Sequence, residues 1–265
     1  MEILTRTSWS RVIGRQKSMT IALPPGYSAR SAPYSVIYLL HGFGGNRQTW
    51  LKCSNLVAAV GMARTIAVMP ESGRYWFIND FCGRRYEDYL VNEVIQSVDE
   101  TFNTAACRNG RAIAGFSMGG AAAFYQSFRH SGVFSVACSN SGAFDAPRRV
   151  GDPYRLLRSS ASFAIPSTRD HERVWGPVGS AVRRTYDPGN ILSLANPGFP
   201  LSLYFDVGLA DFPRVIEMNR NMRDRLSARH IKHDYAERPG GHDLVFVDNG
   251  LLGIFRFAHE HLRPG

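Results

Sequence analysis

The sequence predicts an α/β fold, a mostly parallel central sheet flanked by helices, from three observations. Short apolar runs alternate with longer amphipathic stretches along most of the chain. Several of those runs, Tyr34 to Leu40 above all, are nearly continuous in apolar residues, the pattern of a strand covered on both faces. The stretch Ile113 to Gly120, Ile-Ala-Gly-Phe-Ser-Met-Gly-Gly, passes from strand through a tight turn into an Ala-rich helix. No linker rich in proline, glycine or serine and no internal repeat divides the 265 residues, so 1–265 reads as one domain, long enough to bury a substantial core.

Taken in order, Arg11 to Leu23 alternates apolar with polar through Val12, Ile13, Met19, Ile21 and Leu23, an antiparallel pair opening the sheet. Pro24-Pro25-Gly26 ends it, and the strand Tyr34 to Leu40 runs into the glycine-rich loop His41-Gly42-Phe43-Gly44-Gly45-Asn46. A helix over Asn46 to Ala63 and a strand over Thr65 to Met69 follow, then an aromatic loop from Pro70 to Asp80. Tyr86 to Phe102 is an amphipathic helix, with Tyr86, Leu90, Val94, Val98 and Phe102 inward and Glu87, Asp88, Glu93 and Glu100 expected in solvent. After the serine-bearing turn, Phe134 to Cys138 is the sixth strand. There the alternation stops, and the basic, poorly periodic segment 146–190 is expected to be a lid-like insertion. Strands resume at Leu201 to Val207 and His233 to Glu237, with helices at Pro213 to His230 and Gly250 to Leu262.

The turn at Ser117 carries the chemistry. Gly115 and Gly119 flank it where strand and helix must pass closely, and the helix start aims free N–H groups at the same space. Ser117 is therefore the candidate nucleophile. Acyl transfer through serine places negative charge on the former carbonyl oxygen, which calls for two prealigned backbone N–H groups. Met118, next to the nucleophile, supplies one, and Phe43 in the glycine-rich loop supplies the other, while His41 is expected to brace that loop. A serine needs a histidine to take its proton, and the histidine needs an acid to orient it. In the chain order serine, acid, histidine, Asp211 follows the Leu201 to Val207 strand and His242 follows the last strand within Pro239-Gly240-Gly241-His242. Asp206 is the alternative acid but lies inside its strand, and Asp243 is expected to hold the loop. Trp76 and Phe77, at the strand edge where ligands bind in open α/β sheets, and Trp175 in the insertion are the substrate-lining candidates.

Composition narrows the function classes. The 31 Lys and Arg against 22 Asp and Glu give a net charge of +9, but the arginines are dispersed and no nucleic-acid module accompanies them. A nucleic-acid partner is not expected. One region is locally basic, with Arg148, Arg149, Arg155, Arg158, Arg169, Arg173, Arg183 and Arg184 between Asp145 and Tyr186. The four cysteines (Cys53, Cys82, Cys107, Cys138) lack metal-site spacing and read as free thiols, which together with the polar N-terminus points to a cytoplasmic protein. No stretch is apolar enough to insert into a membrane. No metal and no cofactor is expected.

These motifs resemble the esterase branch of the α/β-hydrolases that holds the esterase D, tributyrin esterase, feruloyl esterase and mycolyltransferase antigen 85 proteins. The matching residues are Leu23 to Tyr27 (Leu-Pro-Pro-Gly-Tyr), Leu39 to Asn46, Tyr86 to Leu90, Gly115 to Gly120, Ser141 to Asp145 and Pro239 to Asp243. The resemblance implies the α/β-hydrolase fold, the triad Ser117, Asp211 and His242, and an oxyanion hole from Phe43 and Met118. The expected activity is a serine carboxylesterase acting on small to medium acyl or aryl esters, with a small-molecule ester as partner and homo-oligomer formation left open. A thioesterase of the S-formylglutathione hydrolase kind or an acyltransferase on the same triad is the alternative, and a catalytically silent binding protein is the alternative of another class. The His-Gly-Phe-Gly-Gly-Asn loop is more similar to tributyrin esterases than to S-formylglutathione hydrolases.

Overall fold

A computed structural model describes residues 1–150 and 165–263. Strands β1 (Glu2–Ser10) and β2 (Arg15–Leu23) form an antiparallel hairpin, and β2 continues the sheet by pairing antiparallel with β4 (Ile66–Met69). From β4 the sheet is parallel: β3 (Val36–Leu40), β5 (Arg111–Phe116), β6 (Val136–Asn140), β7 (Ser202–Gly208) and β8 (Asp234–Arg238) follow side by side. The result is an eight-stranded sheet in the order β1-β2-β4-β3-β5-β6-β7-β8.

Alternate residues of the central strands feed two cores. Tyr38, Leu40, Val68 and Ile113 face one side, where they meet α3 (Ile95–Thr101) and α4 (Met118–Arg129). Ile37, Leu39, Ala67, Ala112 and Ala114 face the other, against α1 (Leu56–Ala63) and α9 (Leu244–His261). Burial on both faces explains why these strands read as continuous apolar runs.

The opening hairpin differs from its expected position. β1 lies upstream of the alternating stretch, and Val12 and Ile13 sit in the turn, half-buried against the core, where Gly14 takes φ +73°. An edge strand with almost every residue exposed has no apolar alternation to reveal it, and its polar side chains also discourage pairing with another sheet edge. The helix expected over Asn46 to Ala63 is broken into a 3₁₀ turn, Thr49–Lys52, and α1.

The amphipathic helix after the aromatic loop is α2 (Tyr86–Asp88), a π-helical turn (Tyr89–Val94) and α3 in succession. Glu87 is not in solvent as expected: it is buried, with hydrogen bonds from Arg129, His130 and Tyr186. Burial pushes the carboxyl pKa up, but these bonds outweigh it and leave Glu87 at about 2. Its helical position gave no sign of this, because the partners arrive from the end of α4 and from Tyr186, 99 residues away.

Of the expected insertion 146–190, residues 151–164 lie outside the described residues. The rest contains a 3₁₀ turn (Ala146–Arg148), α5 (Thr168–Trp175), α6 (Ala181–Thr185) and α7 (Pro188–Leu192). Ser167 and Asp170 form a capping box at the start of α5, and Asp187 caps α7. Several arginines of this basic stretch act within it. Buried Arg183 donates to the carbonyls of Pro147, Arg149 and Gly176, and Arg148 pairs with Asp187. The last helix before β8 is α8 (Pro213–Ala228).

Candidate active site

The turn between β5 and α4 places Ser117 at φ 55° and ψ −114°, a backbone region that a residue with a Cβ enters only under strain. Its neighbours hold it there: the Ser117 N–H donates to Asn140 O at 2.9 Å, and the Ser117 carbonyl accepts from Ala121 and Ala143. The flanking glycines are required by contact. A Cβ on Gly115 would lie 2.3 Å from the backbone of Gly119, and one on Gly119 would lie 2.2 Å from the carbonyl oxygen of Leu40. Gly119→Ala is expected to destabilise the fold by about 3 kcal/mol or more, since only backbone can yield, and the urea unfolding midpoint measures it.

Two loops at the same sheet edge bring the partners. The end of β7 and the loop after β8 are stitched together by Leu209 N–H to Arg238 O and Ala210 N–H to Gly240 O, at 2.8 and 2.9 Å. A Cβ on Gly208 would lie 2.3 Å from the Gly240 oxygen, so this approach also depends on glycine. Across the seam, both oxygens of Asp211 lie 2.9 Å from Nδ1 of His242, and His242 Nε2 lies 2.9 Å from Ser117 Oγ. With Nδ1–H donating to the carboxylate, Nε2 is the acceptor that faces the serine hydroxyl. The rings of Phe116 and Phe212 flank the imidazole at 4.7 and 5.5 Å, and Asp211 and His242 are both buried.

Asp206, the alternative acid, is fully engaged elsewhere: it accepts from Asn140, Tyr204 and Arg238. Asp243 caps α9 through the Phe246 N–H. His41 is a core histidine. Its Nε2 accepts from Ser72 N–H, so Nδ1–H donates to Gly42 O, and burial lowers its pKa to about 4. Its folded pKa lies below the ordinary value, so the unfolded chain binds the extra proton between about pH 6.5 and 4, and stability present above 6.5 is lost as pH falls through that window. His41 alone contributes about 3 kcal/mol to this loss, and buried His171, also lowered to about 4, acts in the same direction. Urea midpoints at pH 7, 5.5 and 4 are expected to decline in that order.

Phe43 and Met118 both line a cavity of about 250 Å³ that opens onto Ser117. Among the described residues, neither backbone N–H has a hydrogen-bond partner. The first belongs to the glycine-rich loop after β3, where Gly44 turns the chain at φ +73°, and the second to the first turn of α4.

Trp76 forms part of the cavity wall, but Phe77 and Trp175 do not. Phe77 is fully buried against His41 at 5.0 Å, and its carbonyl accepts from Gln126. Trp175 is fully buried behind Trp76, edge to face at 5.2 Å, and supports that wall from the core side. The apolar density that suggested a binding loop therefore builds the core, and only one of the three rings reaches the cavity. Sequence reasoning missed Arg214, Val215 and Met218 of α8, and Lys52. The available signal was that α8 begins two residues after Asp211, which puts its first turns beside the site. Among the described residues no group of His, Cys, Asp and Glu could hold a metal ion, all four cysteines are free, and no helix is long and apolar enough to cross a membrane.

Comparison with known proteins adds a family. A profile described as "Putative esterase" matches residues 10–255. An esterase of Mycobacterium tuberculosis is 29% identical over 271 residues that cover 93% of this chain, which spans 58% of that relative's length. An acetyl esterase of Caldicellulosiruptor saccharolyticus is 25% identical over 84% of this chain and 83% of its own. Among solved structures, a fluorophosphonate-binding serine hydrolase of Staphylococcus aureus superposes with a TM-score of 0.82 at 22% identity, covering 97% of this chain and 98% of the other. A similar likeness, TM-score 0.72 at 20% identity over 98% of each chain, holds for a ferulic acid esterase. These structural likenesses establish an α/β-hydrolase fold.

Proposed function

Because this chain belongs to the esterase family whose profile spans nearly all of it, we propose that it is a serine carboxylesterase acting on small to medium acyl or aryl esters. The observation that carries the reading is the continuous chain of contacts from Asp211 through His242 to Ser117, each 2.9 Å long. Ser117 Oγ attacks the ester carbonyl while His242 Nε2 takes its proton, and Asp211 stabilises the imidazolium that results. The N–H groups of Phe43 and Met118 receive the charge that builds on the carbonyl oxygen. His242 then gives the proton to the ester oxygen as the C–O bond breaks, the alcohol departs, and a water activated by the same histidine releases the acid from Ser117.

The cavity supports short and medium acyl groups, because its roughly 250 Å³ must hold the acyl chain close to Ser117 against Trp76, Val215 and Met218. Hydrolysis of p-nitrophenyl acetate, butyrate, octanoate and ferulate tests both claims. Turnover of acetate or butyrate exceeding that of octanoate is expected. No hydrolysis of any of the four by folded protein would remove the esterase reading.

A further inference from the structure

We propose that Arg214 makes this site selective for esters that carry a carboxylate, an inference that rests on the esterase reading above. Arg214 lines the cavity that opens onto Ser117, and Lys52, an exposed residue, lines it too. No aspartate or glutamate is among the described lining residues, so the described walls carry two cationic side chains, Arg214 and Lys52, and no carboxylate. Arg214 Nη1 is shielded from solvent and has no hydrogen-bond partner among the described residues. No ion pair holds its guanidinium among the described residues, unlike Arg148, Arg173 or Arg225.

This placement is unfavourable for the fold. Arg214 is the second residue of α8, a helix of 16 residues, where the macrodipole is positive and an acidic side chain would be stabilising. A shielded guanidinium nitrogen without an acceptor adds a desolvation cost. A ligand carboxylate in the cavity would offset the first of these, placing negative charge beside the guanidinium at a helix start. Lys52 contributes a longer-range field that draws an anion toward the same opening.

Two matched substrate pairs, each an anion and its neutral isostere, read this selectivity. In 3-carboxyphenyl butyrate and 3-carbamoylphenyl butyrate the charge lies on the alcohol side, and in monomethyl adipate and methyl adipamate on the acyl side. For at least one pair, kcat/KM for the carboxylate is expected to exceed that for the carboxamide by roughly 10- to 100-fold, the range of a charge-assisted hydrogen bond. The pair that shows it identifies the side. Arg214→Gln is expected to bring that ratio near unity, Arg214→Lys to restore part of it, and added salt to shrink it in the wild type. Equal or lower turnover of both carboxylates by the wild type, or a preference that survives Arg214→Gln, overturns the proposal. In either case continued hydrolysis of the carboxamides leaves the esterase reading standing. Loss of all four activities together with every p-nitrophenyl ester would instead remove that reading.

Discussion

Ser117→Ala is expected to lower kcat/KM for any hydrolysed ester by about 10⁴- to 10⁶-fold while leaving the fold intact, because it deletes the attacking oxygen and little else. The Ser117 hydroxyl lies at the cavity, hydrogen-bonded to His242, so its loss opens no cavity in the core, and the backbone contacts to Asn140, Ala121 and Ala143 remain. What survives should be the small rate enhancement from the oxyanion amides and from binding. Two measurements separate this from misfolding: an unchanged circular dichroism spectrum and loss of covalent labelling by a fluorophosphonate reagent. Wild-type turnover retained in the variant would show that Ser117 is not the nucleophile.

The second large effect belongs to Asp211→Asn, for which a fall of about 10⁴-fold in kcat is expected with KM nearly unchanged. The carboxylate can only accept, and with both oxygens 2.9 Å from Nδ1 it fixes the imidazole with its proton on that side. An amide in the same place can turn its N–H₂ toward Nδ1, which moves the ring proton to Nε2. A histidine protonated there cannot take the proton of Ser117. Asp206→Asn provides the contrast, since that carboxylate supports Asn140, Tyr204 and Arg238 and stands apart from His242. Its expected consequence is lower stability with far smaller loss of kcat. A reversal of the two results would exchange the roles of the two aspartates.

The site was largely legible in the sequence because its parts depend on local backbone chemistry. Gly115 and Gly119 are demanded by contacts near 2.2 to 2.3 Å with neighbouring backbone, and Pro239-Gly240-Gly241 marks a loop that must fold tightly against Gly208. Such residues announce themselves without knowledge of the distant chain. Phe77 and Trp175 could not be placed in the same way, since an aromatic side chain on a loop gives no indication of whether it faces a cavity or a core. Glu87 was misread for a related reason: its own helix shows an acid on a polar face, and the arginine, histidine and tyrosine that bury it come from elsewhere. Arg214 escaped notice because its distinctive property is the lack of a partner, which only a three-dimensional arrangement can reveal. β1 was missed because an exposed strand carries no periodic burial.

The position of β8 has a consequence for how the molecule fails. It is a five-residue strand at one border of the sheet, partly exposed along its length, and among the described strands it pairs with β7 alone. The loop carrying His242 leaves from its end, whereas Ser117 follows β5, deep within the sheet. Sub-global opening is easiest at borders where few apolar contacts must separate, and there the amides of β8 should exchange with solvent well before those of β5. The base and the nucleophile thus ride on cooperative units of unequal free energy. In mild denaturant, turnover is expected to vanish while most helical signal persists, so that inactivation reports the detachment of one border strand and precedes collapse of the whole.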